Sequence, residues 1–222
     1  MASPRICAAI TSNDSDAVKK VTPLTDLFEV RIDLIGPGWQ EVAVNLAKPW
    51  IACNRKKDEG GAWDGSESAR LEEFLKAIDI GAAIVDIEMS TLDVSDFVKK
   101  IKGKAEILLS YHNMEGTPSL DDLKDILEKQ IDAGADICKV VTTACKTADN
   151  ITVIQLIKEY PDTRVVSFAM GPIGQVSRIL SPLVGGYFTY ASIEEGKESA
   201  SGQLTVEELR EIYRILGEVE NA

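Results

Sequence analysis

The chain alternates between short apolar runs that predict β-strands and amphipathic segments that predict α-helices, and this alternation limits its fold more than any other feature. Eight runs fit strands, at residues 5–10, 27–34, 50–54, 82–88, 106–111, 135–144, 164–169 and 186–190. Three short helices are predicted, one ending at residue 20, one after residue 38 and one at residues 174–180, with longer helices at residues 66–78, 92–101, 119–133, 147–160 and 205–216. Continuously apolar strands alternating with helices are typical of a parallel sheet covered by helices.

Eight strand–helix units in 222 residues favour one parallel fold over the others. An α/β protein of this length is commonly a (β/α)8 TIM barrel that forms a single domain. The sequence has no GxGxxG motif after its first strand and no GxxxxGK[ST] motif, which nucleotide-binding open sheets carry. No linker or shift of composition divides the chain, so we predict one catalytic barrel domain over residues 1–222.

Composition and charge argue against several classes of partner. Apolar residues make up 45% of the chain, and the formal net charge is −12. Nucleic acid and anionic membranes both need a positive protein surface, so we predict neither as a partner. No apolar run resembles a signal peptide or a transmembrane helix. The four cysteines form no CxxC pair, which favours reduced thiols in a cytoplasmic protein.

Lys139 lies in the middle of the apolar run at residues 135–144, between Cys138 and Val140. A buried ammonium is costly unless it is paired or loses its proton. Burial lowers the pKa of a lysine and leaves more neutral amine, which can condense with a ketone to form an imine. The alternative from this stretch alone is a structural lysine that reaches water or forms a salt bridge.

Other ionisable residues cluster where the predicted strands end, which is where TIM barrels carry their chemistry. His112, the single histidine, follows the fifth strand and is a candidate general base. Neighbouring parallel strands lie about 4.8 Å apart, so side chains of His112 and Lys139 at matching heights could reach one substrate. The other residues at these ends are Glu29, Arg31, Arg55, Glu59, Asp86, Met170, Arg178, Ser199 and Gln203.

Three of these residues are arginines, Arg31, Arg55 and Arg178. Each could be a salt-bridged surface group, but three around one barrel mouth more naturally bind a carboxylate, which arginine can hold with two hydrogen bonds. One histidine cannot build a zinc site, and no carboxylate spacing resembles a metal cage. We therefore predict no metal and no cofactor.

The order and spacing of these residues resemble the type I 3-dehydroquinate dehydratases, a family of imine-forming (β/α)8 enzymes. The matching segments are residues 29–33, 55 with 59–61, 86–88, 110–112, 135–139, 170–178 and 199–203. Two departures lie in the last loop. Ser201 stands where the family often has proline, and residues 193–198 form a slightly longer polar stretch.

The resemblance implies a lyase that converts 3-dehydroquinate to 3-dehydroshikimate, the third step of the shikimate pathway to aromatic amino acids. Lys139 would form an imine with the C3 ketone. His112 would remove a proton from C2 and protonate the hydroxyl that leaves C1, and Glu59 would orient His112. Arg178 would bind the substrate carboxylate.

The resemblance also implies binding roles for the remaining residues. Glu29, Arg31 and Arg55 would hold the ring hydroxyls, with Ser199 and Gln203 closing over the substrate from the last loop. Asp86 and Met170 would support this network from behind. A homodimer is implied by the resemblance alone.

Two other functions remain open from the residues. One is another imine-forming barrel enzyme, such as a class I aldolase acting on a sugar phosphate. It would need a phosphate cradle after strands seven and eight, which Gly171 and the pair Gly185–Gly186 supply only loosely. The other is a non-catalytic anion-binding barrel.

Overall fold

The computed structural model describes residues 3–217, so both ends of the predicted domain at 1–222 lie outside the described residues. Eight strands alternate with helices along the described chain. The strands are β1 (Ile6–Ile10), β2 (Leu27–Arg31), β3 (Trp50–Cys53), β4 (Ile84–Glu88), β5 (Glu106–His112), β6 (Ile137–Thr143), β7 (Val165–Met170) and β8 (Thr189–Ser192).

The strands form one parallel sheet in the order β7-β6-β5-β4-β3-β2-β1-β8, which curves into a nearly closed barrel. Between β7 and β8 the structure has no strand ladder within residues 3–217, but the Tyr187 amide before β8 donates to the Val165 carbonyl at 2.8 Å. This contact lies at the amino end of β7. The predicted (β/α)8 barrel is therefore confirmed.

The helices cover the outside of the barrel. Their bounds are α1 (Ser15–Val21), α2 (Ile32–Ile35), α3 (Trp39–Ala43), α4 (Glu67–Asp79), α5 (Val94–Ile101), α6 (Leu120–Asp132), α7 (Asp149–Glu159), α8 (Gln175–Leu183) and α9 (Val206–Ile215), with 3₁₀ turns at Thr22–Leu24, Lys57–Glu59 and Pro172–Gly174. Side-chain caps mark several starts: Ser66 and Ser119 accept amide hydrogens of the first turn, and Thr205 with Glu208 forms a capping box.

The apolar core has two parts, one between the strands and the covering helices and one inside the barrel. The inner part determines where the site lies. Alternate strand residues pack outward against the helices, as Ala8, Val30 and Val140 do. The other face packs inside the barrel, where a second cluster includes Cys7, Leu27, Ile51, Ile84, Leu108, Ile137, Val166 and Phe188. Most of these interior residues come from the first half of their strands. They fill the amino side of the barrel and leave its carboxyl side to polar groups.

Most predicted strands agree with the structure to within two residues at each end, but two of them differ by three residues at one end. The strand predicted at residues 27–34 ends at Arg31, because the chain then turns into α2 and Gly36 ends that turn with φ of +72°. Asp33 therefore lies in α2 and not in the strand that carries Glu29 and Arg31. The last strand was predicted at residues 186–190 but lies at Thr189–Ser192, because residues 186 and 187 still bond to Ser181 and Val165.

Candidate active site

Lys139 points into the barrel and contacts three polar side chains. It is 5% exposed. Its Nζ lies 2.9 Å from Oδ2 of Asp86, 3.1 Å from the hydroxyl of Tyr190 and 3.7 Å from Oε1 of Glu29. Lys139 therefore forms the salt bridge that one alternative predicts. It also lines a cavity, as the reactive-amine alternative requires.

Asp86 joins Lys139 to Arg55. Its Oδ2 accepts a hydrogen bond from Arg55 at 2.6 Å, and its Oδ1 accepts one from Ser110 at 2.6 Å. Burial alone would raise the pKa of Asp86, but the charges of Arg55 and Lys139 outweigh it and hold the pKa well below its usual range. Asp86 is therefore a permanent negative charge beside the amine.

His112 is held by Glu59. Its Nδ1 lies 2.9 Å from Oε2 of Glu59, whose other oxygen accepts a hydrogen bond from Ser90 at 2.5 Å. Burial, aided by the positive charges of Arg55 and Lys139, lowers the pKa of His112 well below 6.5. A neutral imidazole that donates its Nδ1 hydrogen to Glu59 carries its free lone pair on Nε2. Burial also raises the pKa of Glu59.

The register of β5 and β6 corrects the expected heights of His112 and Lys139. Lys139 lies opposite Ser110, and His112 lies opposite Val141. His112 is thus two residues nearer the barrel mouth, a rise of about 6.6 Å along a strand. Both side chains line the same cavity, so the lysine lies at its floor and the histidine at its wall.

The three arginines do not act as a common carboxylate cradle. Arg31 forms two hydrogen bonds with Asp33, at 2.9 and 2.7 Å, and Arg55 is paired with Asp86 at 2.6 Å and Glu88 at 3.1 Å. Arg178 alone among them lacks a carboxylate partner within residues 3–217. Two of the three arginines are thus already neutralised by carboxylates from their own neighbourhood.

Arg178 is buried yet only partly satisfied. Its Nη2 donates to the Ser201 carbonyl at 3.3 Å, its guanidinium lies 4.4 Å from the ring centroid of Phe168, and its Nε has no hydrogen-bond partner within the described residues. Burial lowers the pKa of Arg178 to about 9. A buried cation at a cavity wall without a carboxylate partner is suited to an anionic group of a ligand.

The loop after β8 covers the cavity. Ser199 donates its amide and its hydroxyl to Oε1 of Gln203, at 2.7 and 3.2 Å, and the Ser201 carbonyl accepts the Gly171 amide at 3.0 Å. Gly202 fits here because it has no side chain, since a Cβ would lie 2.3 Å from the Gly171 carbonyl oxygen. The loop therefore docks on the turn after β7.

These parts surround one cavity of about 460 Å³ at the carboxyl side of the barrel. Every site residue expected from the sequence lines it except Asp86, which lies behind Lys139 and Arg55. The lining includes Glu29, Arg31, Arg55, Glu59, His112, Lys139, Met170, Arg178, Ser199 and Gln203. Met170 thus lines the cavity itself, although it was expected behind the contact residues.

Three potential metal ligands also meet here, which sequence spacing did not show. One ligand atom each from Glu29, Cys53 and Asp86 lies within 4.8 Å of the others. The cations of Lys139 and Arg55 already contact this group, with Arg55 also donating to the Cys53 sulfur at 3.4 Å. A metal ion would meet two positive charges, so these residues do not fit one well.

Tyr190 is the residue in contact with the Lys139 nitrogen that the sequence analysis missed. It is 4% exposed, and its hydroxyl contacts Lys139. Its place at the end of the predicted eighth strand was a signal, because most of the other candidate residues also lie at or near strand ends. A tyrosine in an apolar strand most often packs in the hydrophobic core. Phe188 lies in the same predicted strand, so the sequence gave no reason to expect a different role for Tyr190.

The fold and the cavity define a class of protein: a (β/α)8 barrel enzyme with a buried lysine and a carboxylate-bound histidine at the carboxyl ends of its strands. The chain belongs to the type I 3-dehydroquinase family, whose model matches residues 6–220. The family resemblance and the prediction of a lyase are therefore confirmed.

Relatives agree with this assignment along the whole chain. A 3-dehydroquinate dehydratase from Dehalococcoides mccartyi is 42% identical over 214 residues, covering 96% of each chain, and one from Methanocaldococcus jannaschii is 35% identical, covering 95% of this chain and 98% of its own. The crystal structure of a type I 3-dehydroquinate dehydratase from Clostridium difficile, with covalently modified comenic acid, has a similar fold. Its TM-score is 0.85 at 20% identity, with 97% of this chain and 93% of that chain covered.

No helix within the described residues is both long enough and apolar enough to cross a membrane.

Proposed function

We propose that this chain dehydrates 3-dehydroquinate to 3-dehydroshikimate in the shikimate pathway, through an imine on Lys139 with His112 as general base and acid. One observation supports it most strongly. The Lys139 nitrogen lies in the 460 Å³ cavity that His112, held by Glu59, also lines.

The reaction begins with the amine. Lys139 attacks the C3 carbonyl of the substrate, a C–N bond forms, and the carbonyl oxygen leaves as water. The resulting iminium withdraws electrons from C2 and makes its hydrogen acidic. The permanent charge of Asp86 stabilises the positive nitrogen during this step, because the two groups lie 2.9 Å apart.

His112 then moves the proton. Its neutral Nε2 accepts the hydrogen of C2, and the electrons form an enamine. The enamine expels the C1 hydroxyl, which His112 protonates so that it leaves as water. A second water hydrolyses the imine, so the net change is the loss of one water. Glu59 keeps the imidazole in the tautomer that this transfer needs, through the 2.9 Å contact with Nδ1.

Binding of the substrate follows from the unpaired donors. Arg178, which lines the cavity and has no carboxylate partner within residues 3–217, offers its guanidinium to the carboxylate at C1. Glu29, Arg31 and Arg55 face the ring hydroxyls, and Ser199 and Gln203 close the cavity from the last loop. Asp86 does not line the cavity and acts on the substrate through Lys139 and Arg55, which it contacts.

The glycines that an aldolase would need for its phosphate cradle do not lie on the same side of the barrel. Gly171 lines the cavity, but Gly185 and Gly186 lie in the turn before β8, where the next residue, Tyr187, bonds to Val165 at the amino end of β7. That is the opposite side of the barrel from Lys139. A non-catalytic barrel would not need a histidine held by a buried carboxylate.

Ultraviolet absorbance of the conjugated enone tests this function. We expect the purified protein to generate the absorbance from 3-dehydroquinate, equally with and without a chelator, because we propose no metal. An aldolase would instead cleave a ketose phosphate and leave 3-dehydroquinate unchanged, and a binding module would change neither. Loss of absorbance on chelation would contradict the metal-free mechanism.

The homodimer expected from the resemblance stays a prediction. Light scattering of the purified chain would check it, with a mass of about twice the 24.2 kDa of the monomer expected.

A further inference from the structure

Tyr190 contacts the reactive lysine in two ways, and neither the sequence nor the proposed chemistry gives it a role so far. Its hydroxyl lies 3.1 Å from Nζ of Lys139, and the same nitrogen lies 4.3 Å from the centroid of its ring. The side chain is 4% exposed and lines the cavity. It is therefore close enough to influence the amine and the substrate together.

The position of the Tyr190 hydroxyl is fixed by packing. Its ring meets Phe188 edge-on at 5.3 Å and Phe168 at 6.1 Å between centroids. Its backbone belongs to β8 and lies opposite Cys7 of β1. A ring held on both sides by aromatic edges presents its oxygen in one place.

The hydrogen-bond count at the Lys139 nitrogen shows what this oxygen can do. A neutral amine has two hydrogens and one lone pair. Oδ2 of Asp86 and the hydroxyl of Tyr190 are two acceptors, at 2.9 and 3.1 Å. With both hydrogens engaged by groups at the cavity floor, the lone pair is left for a carbonyl carbon in the cavity.

The ammonium form has a third hydrogen, which must leave before attack. Oε1 of Glu29 lies 3.7 Å from the nitrogen and has no hydrogen-bond partner within residues 3–217. It is a carboxylate oxygen able to take this proton. At 3.7 Å this oxygen lies beyond hydrogen-bonding distance, so Asp86 and Tyr190 are the two groups within the described residues that hydrogen-bond the amine.

We propose that Tyr190 is a positioning residue for the imine-forming step: its hydroxyl accepts one hydrogen of the Lys139 amine and, with Asp86, turns the lone pair towards the substrate. This role rests on the proposed imine chemistry. Burial, followed by the charge of Glu29, raises the pKa of Tyr190 well above 10, which keeps the phenol neutral. A neutral phenol can hold the amine without competing with Asp86 for a full positive charge.

The test removes only the oxygen. Tyr190→Phe keeps the ring, its aromatic neighbours and the contact of the nitrogen with the ring face. Tyr187→Phe is the matched control, since its hydroxyl contacts Arg164 at 3.4 Å and does not line the cavity. Each protein is mixed with 3-dehydroquinate, quenched with borohydride at increasing times, and the reduced adduct is measured by mass spectrometry.

We expect Tyr190→Phe to form the adduct about tenfold more slowly, the effect of losing one hydrogen bond to a charged or reactive group. KM should change much less than kcat, and the thermal midpoint should match that of Tyr187→Phe, which excludes a general loss of structure. Tyr187→Phe should form the adduct at the wild-type rate.

Two outcomes would overturn the inference, and they can be told apart. If wild type forms the adduct and Tyr190→Phe forms it equally fast, Tyr190 has no positioning role while the imine chemistry stands. If wild type forms no adduct with 3-dehydroquinate, the imine chemistry fails and this role fails with it.

Discussion

The surroundings of His112 determine how the activity is expected to depend on pH. Burial is the main cause that lowers its pKa below 6.5, and the nearby positive charges of Arg55 and Lys139 act in the same direction. A general base must be neutral, and protonation as the pH falls ends its function. The lowered pKa therefore keeps the base available under mildly acidic conditions.

We accordingly expect kcat/KM to stay high as the pH falls through 6.5 and to decline only below it. The pH profile of wild type, compared with that of His112→Asn, measures this. The variant should be slower by about 10²–10⁴-fold and should lack the limb that belongs to the imidazole. A wild-type decline centred at or above 6.5 would show that burial does not control this base.

At the same scale, the sequence located most of the site but not its arrangement. His112 stood out as the single histidine, at the end of a strand, and Lys139 stood out as a charged residue in the middle of an apolar run. The difference in their heights depends on the register of β5 and β6, which no local pattern encodes. Tyr190 was missed because an aromatic residue in an apolar run gives no local sign of a hydroxyl turned inward.

At the scale of elements, α4 makes an unexpected contribution. Leu71, Phe74, Leu75 and Ile78 recur at helical spacing, which indicates an apolar face on this helix. Phe74 is buried, but so is Arg70, one turn earlier, which is fully buried and pairs with Glu88 of β4 and with Thr91 at 2.6 Å. Glu88 in turn contacts Arg55, so a charged residue in a helix supports the arginine at the cavity.

We expect Arg70→Met to lower the free energy of unfolding by about 3 kcal/mol, because it removes one of the two arginines that pair with the buried carboxylate of Glu88. Lys76→Met is the matched control on the same helix, since Lys76 is solvent-exposed and its one ion pair within residues 3–217 is with Glu73. Urea unfolding of both variants measures the difference. Equal midpoints for the two variants would contradict a structural role for the Arg70–Glu88 pair.

The loop after β8 gives a second prediction at this scale. A Cβ at Gly202 would collide with the Gly171 carbonyl, whereas one at Gly196 would meet nothing within 4 Å, although both glycines have positive φ. Gly202→Ala should therefore displace the loop that carries Ser199 and Gln203. Gly196→Ala adds only the local backbone strain.

We expect Gly202→Ala to raise KM for 3-dehydroquinate by about tenfold or more, because displaced binding groups no longer close on the substrate. Gly196→Ala should stay close to wild type. Steady-state kinetics of the two variants check this. Similar KM values for both would mean that docking on Gly171 does not matter for binding.

Local patterns also had limits at this scale. The alternation of Glu29, Arg31 and Asp33 fits a strand, yet the chain turns into a helix after Arg31. Two hydrogen bonds from Arg31 to Asp33 and the positive φ of Gly36 stabilise this turn. The alternation of polar and apolar residues encodes neither of these features.

At the scale of the whole molecule, the sequence predicted the fold well because all eight strands are bounded by strong turn and helix signals. The barrel then determines the rest. Its closure brings together side chains from five or more strands whose proximity no sequence spacing reveals. Glu29, Asp86, Lys139 and Tyr190 come from four different strands and meet at one nitrogen.

That meeting point carries the central claim, that Lys139 becomes covalently bound to the substrate. The most direct measurement is peptide mapping by mass spectrometry after borohydride reduction in the presence of 3-dehydroquinate. We expect one adduct, on the peptide that contains Lys139, and none in Lys139→Met, which keeps the buried stem but lacks the amine. An adduct on a different lysine, or turnover in Lys139→Met within about tenfold of wild type, would contradict the account.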